Sequence, residues 1–270
     1  MDEPQPALPI DEFLHELEQI RSIAARSILG GKFGRPPLTS TADVEAAKRP
    51  EIIFLIQLGV YPEWRETHLL ARQIQRIEHP GLLRRVGQQI ADESKHAAVL
   101  CEQLAKWGAE PMRFYLEPIY EWSASFDYMD KLAHPAEYFA TSNFIGEGLF
   151  LPTLLAPMAR YDKETFAVYV EQILPDEPSH VRIGRDFILH YCKSAEMQTR
   201  VRRHASIVAK QYCLGYAAAV RYAEAAQAAR DPMELRDQSA QGLSDETLVA
   251  SPENSWTSQV YADLMKEFEI

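Results

Sequence analysis

Two short stretches of this sequence place a histidine three positions after a glutamate: Glu93-Ser94-Lys95-His96 and Glu177-Pro178-Ser179-His180. On a helix, residues so spaced share a face, and each stretch offers a carboxylate and an imidazole to one metal ion. Frequency alone gives the pairs little weight. With eight histidines in 270 residues, random placement yields on the order of one such pair. A third, Glu12/His15, shows how easily they arise.

Their register is more informative. The step along the chain from Glu93 to Glu177 equals the step from His96 to His180, and the same displacement carries Glu63 onto Glu147. Each half therefore supplies a lone Glu and, at one common spacing, a Glu-x-x-His: Glu63, Glu93 and His96 in the first, Glu147, Glu177 and His180 in the second. Apolar positions keep the same register, pairing Leu70 with Leu154, Ile74 with Met158, Val86 with Val170 and Ile90 with Leu174. Two antiparallel helical hairpins related by a pseudo-dyad would bring all six groups to the middle of a four-helix bundle. Glu12/His15 has no counterpart at this displacement and reads as an exposed pair.

One ligand has a rival. Glu66 lies one turn after Glu63 and can occupy the same face; its counterpart is Phe150, so the repeat favours Glu63 and leaves Glu66 as the alternative. Pro62 can start a helix, which would put Glu63 in a first turn. Four carboxylates and two imidazoles suit two divalent ions, with glutamates able to bridge them and one histidine on each. Such a set favours iron or manganese over copper, and the absence of thiolates disfavours zinc or iron–sulfur centres. The alternative is a set of solvated charges on helix exteriors. Against it, Glu93 and Glu177 sit in phase with the apolar stripe, where unpaired carboxylates are costly to bury.

The elements that must position these groups read as helices throughout, so the fold class is all-α. Helices are expected at about Ile10–Leu29, from Glu51 to the His79-Pro80-Gly81 break, at Leu82–Trp107, Pro135–Arg160, Lys163–Tyr191 and Ala195–Ala229. The expected organisation is an N-terminal helical arm over 1–50, a di-metal bundle over 51–230, and a polar tail over 231–270 with one short amphipathic helix. The segment 112–128, rich in aromatic residues, reads as a loop covering an access channel.

A formal net charge of -11 argues against nucleic acid or an anionic membrane as partner. No uninterrupted apolar stretch reaches the roughly 20 residues of a membrane span, and the acidic, proline-bearing start lacks the basic and apolar regions of a secretory signal. A cytoplasmic location is the expectation. Cys101, Cys192 and Cys213 contain no CxxC pair and read as reduced thiols.

These residues, with EHPGLLRRVGQQIADESKHAAVLCEQLAKWG and SHVRIGRDFILHY, resemble the ferritin-like di-iron carboxylate superfamily over about Glu51 to Arg230. More loosely, HVRIGRDF is similar to the phenylacetyl-coenzyme A oxygenase-related ferritin-like proteins. The resemblance implies a ferritin-like four-helix bundle with additional N- and C-terminal helices and two iron ions, or one manganese and one iron. Its ligands would be Glu63, Glu93, His96, Glu147, Glu177 and His180, with Glu93 and Glu177 as bridges and dioxygen as co-substrate.

Two departures fall beside ligands. Pro178 is expected to kink the fourth core helix, and Gly146 and Gly148, poor helix formers, flank Glu147; such irregularity would open space for substrate or let Glu147 shift. Ile173 stands where some di-iron amine oxygenases carry a further histidine. His68 and His190 read as surface groups before ligand-supporting ones. Tyr61, Trp64, Phe144, Phe150 and Tyr169 could line a cavity or carry a radical, and otherwise read as core.

The leading expectation is an oxygenase or oxidase that acts on a small organic molecule by hydroxylation, N-oxygenation, desaturation or carbon–carbon cleavage. No flavin, nicotinamide or iron–sulfur motif is visible, so electrons would come from a separate protein. A homodimer is compatible with such a bundle. The alternative is ferritin-like iron oxidation and handling, and a purely structural scaffold would leave the repeated ligand set unexplained.

Overall fold

The computed structural model of the chain describes residues 6–29, 49–109, 119–150 and 163–227. Every regular element among them is helical. No helix of the described residues is long and apolar enough to cross a membrane. The expected 231–270 tail, the end of the third core helix with Leu154 and Met158, and the start of the 112–128 segment lie outside the described residues.

Helix α1 (Ile10–Leu29) has the bounds its periodicity predicts. Its buried residues Phe13, Leu17, Ile20, Ala24 and Ile28 recur every three or four positions and form one apolar stripe. Each large side chain so buried contributes about 1.5–3 kcal/mol.

Helix α2 (Arg49–Gln73) continues into a 3₁₀ turn at Ile74–Arg76. After residues 77–79 the chain reverses into α3 (Pro80–Lys106). His79 makes this start possible: its Nδ1 accepts the Leu82 N–H at 3.3 Å, and Pro80 stands where no donor is needed. The short connection folds α3 back along α2 as the first hairpin. Pro62 does not start a helix here. It lies inside α2, so Glu63 is a mid-helix residue rather than one in a first turn.

Helix α4 (Tyr120–Asp130) replaces the later part of the expected 112–128 loop. Helix α5 (Pro135–Phe139) opens on a capping box in which His134 Nδ1 accepts the Ala136 N–H and Glu137 accepts the His134 N–H. It then widens into a π-helical stretch, Ala140–Glu147, and stays helical to residue 150.

The expected continuous helix over Lys163–Tyr191 is instead two. Helix α6 (Lys163–Val168) widens into a π-helical turn at Tyr169–Ile173, a turn occupies 174–176, and α7 (Glu177–Tyr191) begins anew. Pro178 therefore does not kink a helix interior. It sits in the first turn of α7, where its missing N–H costs nothing and its fixed φ favours initiation.

The π-helical stretch packs against α7 as part of the second hairpin, closely enough that only glycine fits at 184. A Cβ there would lie 2.6 Å from the Phe144 backbone nitrogen and 2.7 Å from the Phe139 carbonyl oxygen. The Phe139 and Phe187 rings stack at 3.9 Å beside this contact. The long helix α8 (Ala195–Gln227) crosses both hairpins and carries α1 and α4 on its flanks.

Candidate metal centre

Six of the sequence-selected residues converge. Glu63 comes from the middle of α2, Glu93 and His96 from α3, Glu147 from the end of the π-helical stretch, and Glu177 and His180 from the first turn of α7. All are buried except Glu147, which is half-buried. They form two groups, Glu63/His96/Glu177 and Glu93/Glu147/His180, each with donor atoms within 4.8 Å of one another. Each histidine thus works with carboxylates from both hairpins.

Glu93 and Glu177 connect the two groups. Glu93 directs Oε2 at His96 Nδ1 (3.6 Å) and Oε1 at His180 Nδ1 (3.2 Å). Glu177 mirrors this, with Oε1 3.6 Å from His96 Nδ1 and Oε2 3.8 Å from His180 Nδ1. Glu63 and Glu147 stay on the outside, one per group, at 3.1 Å from His96 Nδ1 and 3.3 Å from His180 Nδ1. Two carboxylates thus span the two groups and one is terminal in each, so each group could hold an ion.

The side chains fit cations better than they fit one another. His180 Nδ1 and Glu147 Oε2 are buried without a hydrogen bond to the described residues, although they face each other across the centre. Burial pushes the Glu63 and Glu147 carboxyls well above the usual range and raises Glu177, although their histidine partners oppose the shift. Burial acts the same way on Glu93, but His180 and His96 hold it down at about 2. Burial disfavours the charged form of both imidazoles too, yet the carboxylates prevail and raise His96 to about 11 and His180 still further. The metal-free centre is thus held together by protons on histidine and glutamate, and dications can take the place of those protons.

Behind each histidine stands an aspartate that the sequence reading missed. His96 Nε2 lies 3.1 Å from Asp176, and His180 Nε2 lies 3.4 Å from Asp92. Each aspartate immediately precedes a glutamate of the centre and serves the histidine of the other hairpin. Hydrogen bonding at Nε2 leaves Nδ1 free to face inward. Lys95 pairs with Asp176 and, with His96, holds that carboxylate below its usual range against the opposing effect of burial. The signal was available, since Asp92 and Asp176 are related by the same displacement as the ligands.

A second missed group gave no such signal. Gln89 is fully buried and donates to Glu93 Oε1 (2.9 Å) and Glu147 Oε1 (2.7 Å), while its own oxygen accepts from Asn143 Nδ2 (2.8 Å). Its counterpart at the repeat displacement is Ile173, so the two ion positions have different surroundings. The Glu63 side instead faces Tyr169, whose buried hydroxyl has no hydrogen-bond partner among the described residues. Gly59 admits it, since a Cβ there would lie 2.0 Å from the Tyr169 hydroxyl.

Glu66, the alternative to Glu63, belongs to neither group. Its Oε1 accepts from the Tyr138 and Ser142 hydroxyls, both at 2.6 Å. His68 and His190 are exposed and belong to neither group: His68 binds the Trp64 carbonyl, and His190 packs on His79 and Tyr191. Glu12 and His15 are exposed on α1, as expected. Tyr61 and Phe144 are core residues, and Trp64 packs half-buried against the core.

A partly open pocket lies against the centre and is lined by its four glutamates. Trp122 and Phe126 of α4, together with Phe150, form an apolar wall. Gly146 and Tyr212 close the side over Glu147, where a Cβ on Gly146 would lie 2.7 Å from the Tyr212 hydroxyl. The expected irregularity at Gly146 is real, and it takes the form of π-helical turns that end at Glu147. No protein-family model, curated protein or solved structure matches this chain.

Proposed function

We propose that the chain is a ferritin-like, non-heme di-metal oxygenase or oxidase that activates dioxygen at the Glu63/Glu93/His96/Glu147/Glu177/His180 centre and oxidises a small organic molecule. The observation that carries the reading is the cavity: the four glutamates form one of its walls and aromatic side chains another. A centre devoted to structure has no need of such a space beside its ligands.

Bound there, an iron pair, or one manganese and one iron, would supply the electrons that convert dioxygen into an oxidant. The chain's own residues set the conditions. Asp92 and Asp176 fix both imidazoles with Nδ1 inward. Glu93 and Glu177 hold the two positions together, and Gln89 restrains Glu93 and Glu147 from one side only. Trp122, Phe126 and Phe150 limit water on the substrate side. The widened helix ahead of Glu147 supports the idea that this carboxylate, the least buried of the four, can shift during the reaction. Electrons would arrive from a separate donor protein.

Anaerobic loading with ferrous ion followed by rapid mixing with oxygenated buffer tests the proposal. The expected result is two irons per chain and a transient visible absorption. Failure of the metal-free protein to take up iron would refute it. Growth of a ferric mineral in a large assembly would favour the iron-handling alternative.

A further inference from the structure

The cavity sits where the repeat can be inspected position by position. Three pairs of its lining residues are related by the repeat displacement: Pro62 with Gly146, Glu63 with Glu147, and Glu93 with Glu177. The two glutamate pairs keep their chemistry, whereas in a fourth pair a glutamate is lost, because Glu66 is matched by Phe150. The same position thus places a carboxylate on one side of the cavity and a phenyl ring on the other.

Glu66 belongs to neither of the two candidate ligand groups. Nor is it a surface charge, being only 5% exposed. Two hydroxyls, from Tyr138 and Ser142, fix one of its oxygens in place. The other oxygen has no hydrogen bond to the described residues, while the side chain lines the cavity. Orienting a carboxylate through two donors on Oε1 presents Oε2 to whatever enters. Oε2 is not sealed off as the unpartnered Glu147 Oε2 is, so it can be reached from the pocket. A ligand that brings its own donor and positive charge meets it there.

We propose that Glu66 is the specificity residue of the cavity and that the substrate is a small amphipathic amine. Its ammonium group binds Glu66 Oε2, and its apolar body lies toward Phe150, Trp122 and Phe126. The aromatic walls suit such a molecule, because rings accept both apolar carbon and the fringe of a cation. Burial is the main reason that the Glu66 carboxyl is raised to about 7, and the nearby Glu93 adds to it. An ammonium ion at Oε2 favours the ionised form. The inference rests on the di-metal oxygenase reading, which supplies the reason for a substrate to be beside the ions.

The test uses the full chain loaded with Mn(II), which neutralises the centre without consuming oxygen. Benzylamine, benzyl alcohol and benzoate are titrated calorimetrically at pH 8 into the wild type and into Glu66→Gln. Glutamine keeps an acceptor for Tyr138 and Ser142. The wild type is expected to prefer benzylamine over the other two, and Glu66→Gln to weaken benzylamine about 10- to 100-fold while leaving benzyl alcohol unchanged. Equal binding of benzylamine by the two proteins, or a wild-type preference for the alcohol or the acid, overturns the proposal. So does a Glu66→Gln protein that holds fewer than two Mn(II), because Glu66 would then be a ligand. Manganese analysis of the wild type separates the two levels. No uptake refutes the di-metal reading and with it this inference, whereas full uptake without amine selectivity refutes this inference alone.

Discussion

Metal uptake by this centre must expel protons, and the number follows from the geometry. Both histidines face the carboxylates through Nδ1, the atom a metal would need, and both hold a proton past neutrality, His96 to about 11 and His180 further. Two protons therefore leave at pH 7 from the imidazoles alone. Glu63 and Glu147, raised well above their ordinary range chiefly by burial, add to that count. With two as the minimum, the overall constant for binding two ions rises by about 100-fold per pH unit, each proton contributing about 1.4 kcal/mol per unit. Titration calorimetry with Mn(II) at pH 7, in buffers of different ionisation enthalpy, counts the protons directly. Fewer than two released per two ions bound would refute the argument. The same shifts fix the sign for stability without metal. The imidazole contribution of His96 is complete below the unfolded value of about 6.5 and is lost as pH rises toward about 11. Raised carboxyls act in the same direction from about 4.5 upward, and Glu93, held at about 2, is already ionised throughout. The metal-free chain should therefore lose thermal stability steadily between pH 6 and 9, and bound metal should reverse the trend.

Asp92→Asn and Asp176→Asn should each lower metal affinity about 10- to 100-fold with unchanged helix content, as read by metal titration and circular dichroism; unchanged affinity in both would remove their supporting role. Gln89→Leu deprives Glu93 and Glu147 of a shared donor and should cost about 1–3 kcal/mol in denaturant unfolding. It should also weaken the ion held by Glu93, Glu147 and His180 more than its neighbour. Gly184→Ala forces a Cβ to within 2.7 Å of two backbone atoms of the facing helix. It should destabilise the fold by about 1–3 kcal/mol, seen as a melting temperature lowered by several degrees, and wild-type melting would contradict that packing.

The centre was largely legible because its residues obey two periods at once, the helical turn and the displacement that relates the two hairpins. The histidine-supporting aspartates obey them as well, and went unread only because each stands beside a ligand. Other features were hidden for physical reasons. Pro62 and Pro178 look alike in a helical pattern, yet one is tolerated inside α2 and the other starts α7. Which outcome occurs depends on packing beyond the local window. The π-helical stretches follow a similar rule, since widened turns arise from what packs against the helix. For Ala140–Glu147 that includes α7 with Gly184 and α8 with Tyr212.

Where the repeat is kept and where it is broken divides the work of the site. Every position that can touch an ion has a partner of the same type in the other hairpin, and so do both supporting aspartates. Three other positions around the cavity or beside one ligand group do not: Glu66 against Phe150, Gln89 against Ile173, and Gly146 against Pro62. Both π-helical stretches of the described residues also belong to the second half. A two-fold arrangement holds two ions well but presents equal faces to anything that approaches them. Selecting one reacting position and one orientation of an unsymmetrical molecule requires that equality to be broken. These three substitutions lie on the cavity side or beside Glu147. Under the proposed oxygenase reading, the second hairpin, with its widened helix and its less buried carboxylate, is the half where movement on turnover should be sought.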